Sequence, residues 1–196
     1  MAYFILLAIL TIGFVKAENG PACTELPSQW HSTYAVTENI NADQSLKGVY
    51  VSDAIGNRTQ YTANFVAHGR DLGTMMTFSY YDTQMVLSYL EKYNICIKNN
   101  FVEYNIPVVN LKSPGNQFVA FDSLASANAE SQTWKFVTDS TGEPTVIIST
   151  ILTDGCLPAV AVVQNSAFVS TTIYSNVTLG IPSGSFELPD KCKGLL

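Results

Sequence analysis

Four cysteines, Cys23, Cys96, Cys156 and Cys192, constrain this chain more than any other feature. No Cys-x-x-Cys spacing occurs, and the two histidines, His31 and His68, lie far from each other, so a zinc site is a poor reading. An even cysteine count without metal-ligand spacing reads as two disulfides formed in an oxidising compartment. Four cysteines allow three connectivities, and spacing alone does not choose between them.

The start of the chain agrees with that compartment. Tyr3 to Val15 is an apolar run of signal-peptide length, and Val15-Lys16-Ala17 offers a small-residue cleavage site. The run is shorter than the roughly 20 residues needed to cross hydrocarbon, so it reads as a leader rather than an anchor. The expectation is a signal peptide over 1–17 and one secreted β domain over 18–196. Two sequons, Asn57-Arg58-Thr59 and Asn176-Val177-Thr178, offer glycosylation sites on Asn57 and Asn176.

Charge excludes one class of partner. Removing Lys16 from the 10 basic residues leaves 9 against 16 acidic ones, a net charge near −7. No basic cluster exists, which argues against nucleic acid and against docking on anionic lipid. Charged residues are 13% of the chain, where about a quarter is usual, and hydrophobic ones are 47%. A surplus of apolar side chains needs a large core, an interface between copies or a ligand site to absorb it.

Most of the chain reads as strand. Trp30, Ser32, Tyr34 and Val36 alternate with His31, Thr33, Ala35 and Thr37. Thr59, Tyr61, Ala63, Phe65 and Ala67 alternate with mostly polar neighbours in the cleanest period-two pattern. Met75–Tyr81, the turn Asp82-Thr83-Gln84 and Met85–Tyr89 read as a hairpin, although the spacing over 85–93 also fits a helix. Leu124–Gln132, rich in Ala and Ser, predicts a short helix or exposed loop. Thr145–Leu152 and Ala159–Val163 are apolar on both faces, as when one face meets core and the other a partner or ligand. The fold class is therefore all-β, antiparallel sheets forming a half-open barrel or sandwich around a hydrophobic pocket, with little helix.

Several spaced elements together resemble one known family. They are Cys23-x-x-x-Pro27-x-x-Trp30, Tyr93-Asn-Ile-Cys96, Asp154-Gly-Cys-Leu-Pro158 and Asn176-Val-Thr-Leu-Gly-Ile-Pro182, followed by Phe186-Glu-Leu-Pro189-Asp-Lys-Cys192. Over nearly the whole mature chain this resembles the ependymin-related proteins. The resemblance implies a secreted, disulfide-bonded glycoprotein with a deep hydrophobic pocket, and pairs Cys23 with Cys156 and Cys96 with Cys192. It further implies apolar or lipid ligands, a homodimer, cell–matrix adhesion and a link to calcium. No calcium ligand set transfers residue by residue, so any metal site is unknown.

Candidate pocket residues are the larger apolar side chains of the strands: Phe65, Met76, Phe78, Tyr80, Leu87, Tyr89, Trp134, Ile148, Val160, Val162 and Ile173. Which of these faces points inward depends on strand register, which alternation does not supply. Catalytic signatures are absent: there is no Gly-x-Ser-x-Gly elbow, His-Glu-x-x-His pair or phosphate loop. His68 and the turn aspartates Asp53, Asp71, Asp82 and Asp122 stand singly. The sequence thus predicts a non-enzymatic carrier of a hydrophobic small molecule or lipid. The alternative is an adhesive matrix glycoprotein without an exchangeable ligand.

Overall fold

The computed structural model describes residues 21–38, 45–67, 70–100, 111, 115–124, 129–138, 144–167 and 169–195. The leader, His68 and the loose stretch 101–110 lie outside them. Eleven strands form one antiparallel sheet: β1 (Gln29–Glu38), β2 (Ser45–Asp53), β3 (Arg58–Ala67), β4 (Arg70–Tyr80), β5 (Met85–Leu90), β6 (Ile95–Asn100), β7 (Gln117–Leu124), β8 (Ala129–Thr138), β9 (Thr145–Leu152), β10 (Leu157–Gln164) and β11 (Val169–Leu179). Their order is β6-β5-β4-β3-β2-β1-β11-β10-β9-β8-β7, so the sheet is two meanders joined where β1 meets β11. The end strands β6 and β7 do not close the sheet into a barrel. The all-β antiparallel expectation holds.

The hairpin reading of 75–89 holds over its helical alternative, and one other local expectation needs correction. Residues 85–93 are β5 followed by a single 3-10 turn at Glu91–Tyr93, because Leu87 and Tyr89 pair opposite Phe78 and Met76. Over 124–132, where the sequence predicts a short helix or exposed loop, Leu124 ends β7 and residues 129–132 begin β8, while 125–128 lie outside the described residues. There Gln132 is fully buried, and its side chain accepts from the Cys23 N–H at 3.1 Å and donates to the Cys23 carbonyl at 2.8 Å. That tertiary tie overrides the indifferent local preference of an Ala- and Ser-rich stretch.

Pairing register divides the side chains into two faces. The aromatic face carries Trp30, Ser32 and Tyr34 of β1, and with them Tyr50, Tyr61, Thr77, Tyr174, Ser149 and Trp134. The opposite face carries Val51, Gln60, Phe78, Leu87, Ile173, Val162 and Ile148.

A disulfide-tied segment covers each face, at opposite ends of the sheet. Cys23–Cys156 fastens the segment before β1 onto the aromatic face of β8 and β9, where Cys23, Leu111, Trp134, Phe136 and Ile151 form a buried cluster. Cys96–Cys192 fastens the C-terminal segment, which ends in the short helix α1 (Asp190–Lys193), onto the opposite face of β4 to β6. There Phe186, Leu188, Leu195 and Cys192 pack against Phe78, Met85 and Leu87. Two disulfides suit folding in an oxidising compartment.

A buried carboxylate anchors the second clamp. Asp53 accepts from Gln29 Nε2 at 2.9 Å, the Gly56 N–H at 3.0 Å and Arg58 Nε at 2.8 Å, while the Arg58 guanidinium lies 4.1 Å from the centre of the Phe186 ring. Burial alone would raise the Asp53 pKa, but the hydrogen bonds from Gln29, Arg58 and Gly56 and the Arg58 charge outweigh it and hold it below the ordinary value. A depressed folded pKa gives stability that is fully present above the unfolded value of about 3.9 and lost as pH falls through the lower folded value. Asp53→Ala is expected to destabilise by about 2 kcal/mol at neutral pH, the worth of charge-assisted hydrogen bonds. Urea unfolding at pH 7 and pH 3 checks this, the gap to wild type narrowing in acid.

Candidate functional site

The site is built at the seam of the two meanders. On β1, Trp30 and Tyr34 flank Ser32, whose neighbour across β2 is Tyr50. The small Ser32 side chain leaves room above β1 for rings from strands two apart. Tyr50 of β2 and Tyr174 of β11 meet there at 5.8 Å between centroids, and Trp30 lies 5.1 Å from the first and 5.5 Å from the second. Opposite Tyr34 stands Gly48, and across that gap Tyr34 reaches Tyr61 of β3 edge-to-face at 6.4 Å. Such tilted and edge-on pairs are the favoured aromatic geometries. Gly48 is forced by more than the ring pair, since a Cβ there would sit 1.8 Å from the Thr62 carbonyl oxygen.

Hydroxyls continue the face toward β5. Thr59 and Tyr81 share a hydrogen bond of 3.1 Å, Thr77 and Ser88 one of 3.4 Å, and Asn99 donates to Ser88 at 2.9 Å. Burial raises the phenol pKa of Tyr34, Tyr50, Tyr61 and Tyr81 and pushes Tyr174 up to about 12. These tyrosines are therefore neutral donors throughout the physiological range. Tyr50, Tyr61 and Tyr174 are only half-buried, so solvent reaches the cluster. Four side-chain oxygens of this face, Ser32 Oγ, Tyr34 Oη, Ser52 Oγ and Ser79 Oγ, are buried without a hydrogen-bond partner among the described residues.

The candidate pocket residues fall into separate groups. Met76, Phe78, Tyr80, Leu87 and Tyr89 lie under the C-terminal clamp on the opposite face, as core. Trp134 lies on the aromatic face beneath the N-terminal clamp. Ile148, Val160, Val162 and Ile173 lie on the opposite face of β9 to β11, with Ile173 52% exposed. The Phe65 backbone pairs with Leu46, and its side chain is outside the described residues. Spacing did place Trp30, Ser32 and Tyr34 on one face. The signal missed was the small residue between large aromatics, Ser32 and Gly48, which marks where rings from neighbouring strands converge.

No family model and no curated protein matches this chain. Solved structures do. An uncharacterized conserved protein from Thermus thermophilus is 14% identical, with 84% of this chain and 88% of that one covered at a TM-score of 0.52. A LolA-superfamily protein from Nitrosomonas europaea is 12% identical over 88% and 94%, at 0.42. LprF from Mycobacterium bovis is 10% identical over 83% and 90%, at 0.40. The first of these shares the fold, and none of them speaks to activity.

These findings overturn the ependymin-related assignment. Neither a family model nor a curated protein supports it, and the solved structure that shares the fold is an uncharacterized bacterial protein. Adhesion and a calcium link entered only with that family and lose their support. Among the described residues no three His, Cys, Asp or Glu side chains gather to hold a metal ion, and no helix is long and apolar enough to cross a membrane. The two sequon asparagines are exposed at positive φ. Asn57 donates to Asp82 Oδ1 at 2.8 Å, and Asn176 donates to Thr33 Oγ1 at 3.4 Å.

Proposed function

We propose that the mature chain, 18–196, is a secreted, non-catalytic carrier that holds an apolar small molecule or lipid against the aromatic face, with glycans on Asn57 and Asn176. The observation that carries the reading is the Trp30, Tyr34, Tyr50, Tyr61 and Tyr174 cluster, half-open to solvent and joined across β11, β1, β2 and β3. Removing about 200 Å² of ligand surface from water here is worth about 5 kcal/mol before the costs of association. The leader-like run and the disulfides support secretion. Delipidated protein is expected to enhance the fluorescence of N-phenyl-1-naphthylamine with a Kd in the micromolar range, and Tyr50→Ala to weaken it about tenfold with the far-ultraviolet spectrum unchanged. No enhancement by the wild-type protein would overturn the reading.

A second reading rests on the opposite face. Val137, Ile148 and Ile173 are exposed there beside Val160 and Val162, an apolar band that suits packing against a second copy in a structural, adhesive glycoprotein. It predicts a concentration-dependent dimer in sedimentation, disrupted by Ile173→Lys, with no exchangeable ligand.

A further inference from the structure

The charges on this sheet are sorted by face. Lys47, Asp53, Arg58, Lys98 and Lys135 all belong to the opposite face. Apart from Arg70, Asp71 and Glu130 at strand ends, no described side chain of the aromatic face is charged. A carboxylate or phosphate held over the ring cluster would be drawn from water with no cation beside it, a costly desolvation. An unfunctionalised hydrocarbon would leave a different debt, since Ser32 Oγ and Tyr34 Oη stay buried and unpaired. Ser32 and Tyr34 are only 1% and 7% exposed and sit two residues apart on β1, about 7 Å along the strand, pointing to the same face. A buried phenol or hydroxyl without a partner carries a desolvation cost that one ligand oxygen would relieve.

We infer that the ligand is an uncharged amphiphile, a chain or ring system bearing a hydroxyl, whose oxygen meets Tyr34 and Ser32 while its apolar body lies on Trp30, Tyr50, Tyr61 and Tyr174. The inference rests on the carrier reading above and names its ligand class. The Tyr34 phenol donates to the ligand oxygen, and Ser32, able to donate or accept, accepts a hydrogen bond from the ligand hydroxyl. Burial keeps the phenol in its donor form at any physiological pH.

The test holds the chain constant and varies the head. Oleyl alcohol, oleate and 1-octadecene are titrated against N-phenyl-1-naphthylamine bound to the full-length mature protein at pH 8. Oleyl alcohol is expected to displace the probe at least tenfold more strongly than oleate or octadecene. In Tyr34→Phe the advantage of the alcohol over octadecene should fall at least fivefold. Should that variant melt early, Ser32→Ala supplies the same comparison. Oleate competing as well as the alcohol, an alcohol advantage that survives both variants, or a bound probe that none of the three displaces would overturn the inference and leave the carrier reading standing. Failure of the probe itself to bind would remove both.

Discussion

Replacing Gly48 by alanine is expected to destabilise the protein by at least about 4 kcal/mol, the range reached only by severe local conflicts. Elsewhere in a strand the same change is mildly stabilising, by roughly 0.5–1 kcal/mol, because glycine has the most conformational freedom to lose. Here the sign reverses. The added Cβ would fall 1.8 Å from the Thr62 carbonyl oxygen and 2.8 Å from the Ala63 Cα, both backbone atoms of β3 that no rotamer change can move. Relief requires β2 and β3 to part, which breaks a pairing running from Leu46↔Phe65 to Asp53↔Arg58 and opens the gap across which Tyr34 meets Tyr61. Gly194→Ala, with nothing within 4 Å of the new atom, serves as the control and should stay within about 0.5 kcal/mol. Chemical unfolding of the two variants decides the point, and equal midpoints would refute it.

Much of the fold was legible because alternation reports strands directly. The pattern over 59–67, the turn at 82–84 and the run 145–152 are found as read. The site was less legible for a physical reason. The most apolar strand face, Met76, Phe78, Leu87 and Tyr89, invites selection as a pocket, but an apolar face is equally what a covering segment needs, and Phe186 and Leu188 of the tail supply that cover. The face with the ring cluster reads as mixed in any one strand, since Ser32 and Gly48 interrupt it. Its aromatic character emerges only when five rings from four strands are set side by side, and that requires register. Motif spacing misled in one respect: a long match in the tail suggested a family that the comparisons do not support.

Removing the second clamp's covalent tie is the other large expected effect. The paired change Cys96→Ser with Cys192→Ser opens a closure spanning 96 residues, worth roughly 5 kcal/mol in the chain-entropy picture. For a chain of this size that corresponds to a fall in melting temperature of roughly 10–20 °C. The loss should be local before it is global. Phe78 and Leu87 are fully buried, and in the described structure the tail from Phe186 to Leu195 packs on them. Amide exchange is therefore expected to quicken first in β4 and β5, while β8 and β9, under the Cys23–Cys156 clamp, keep their protection. Secretion of the variant should fall in parallel. An unchanged melting temperature, or uniform loss of protection, would sink this account.

Of the ten strand pairings, nine join neighbours in sequence, and the pairing of β1 with β11 alone bridges the two meanders. Almost all of the loop-closure entropy of the sheet is therefore concentrated at one step. The contacts of Trp30 with Tyr174 and of Tyr50 with Tyr174 span that same junction. A chain whose halves have each formed but not met has no complete ring cluster to offer. On the proposed carrier reading, binding competence would then report finished assembly, and a ligand seated on the cluster would draw the halves together by mass action. On that reading, loading cargo and completing the sheet would be one event.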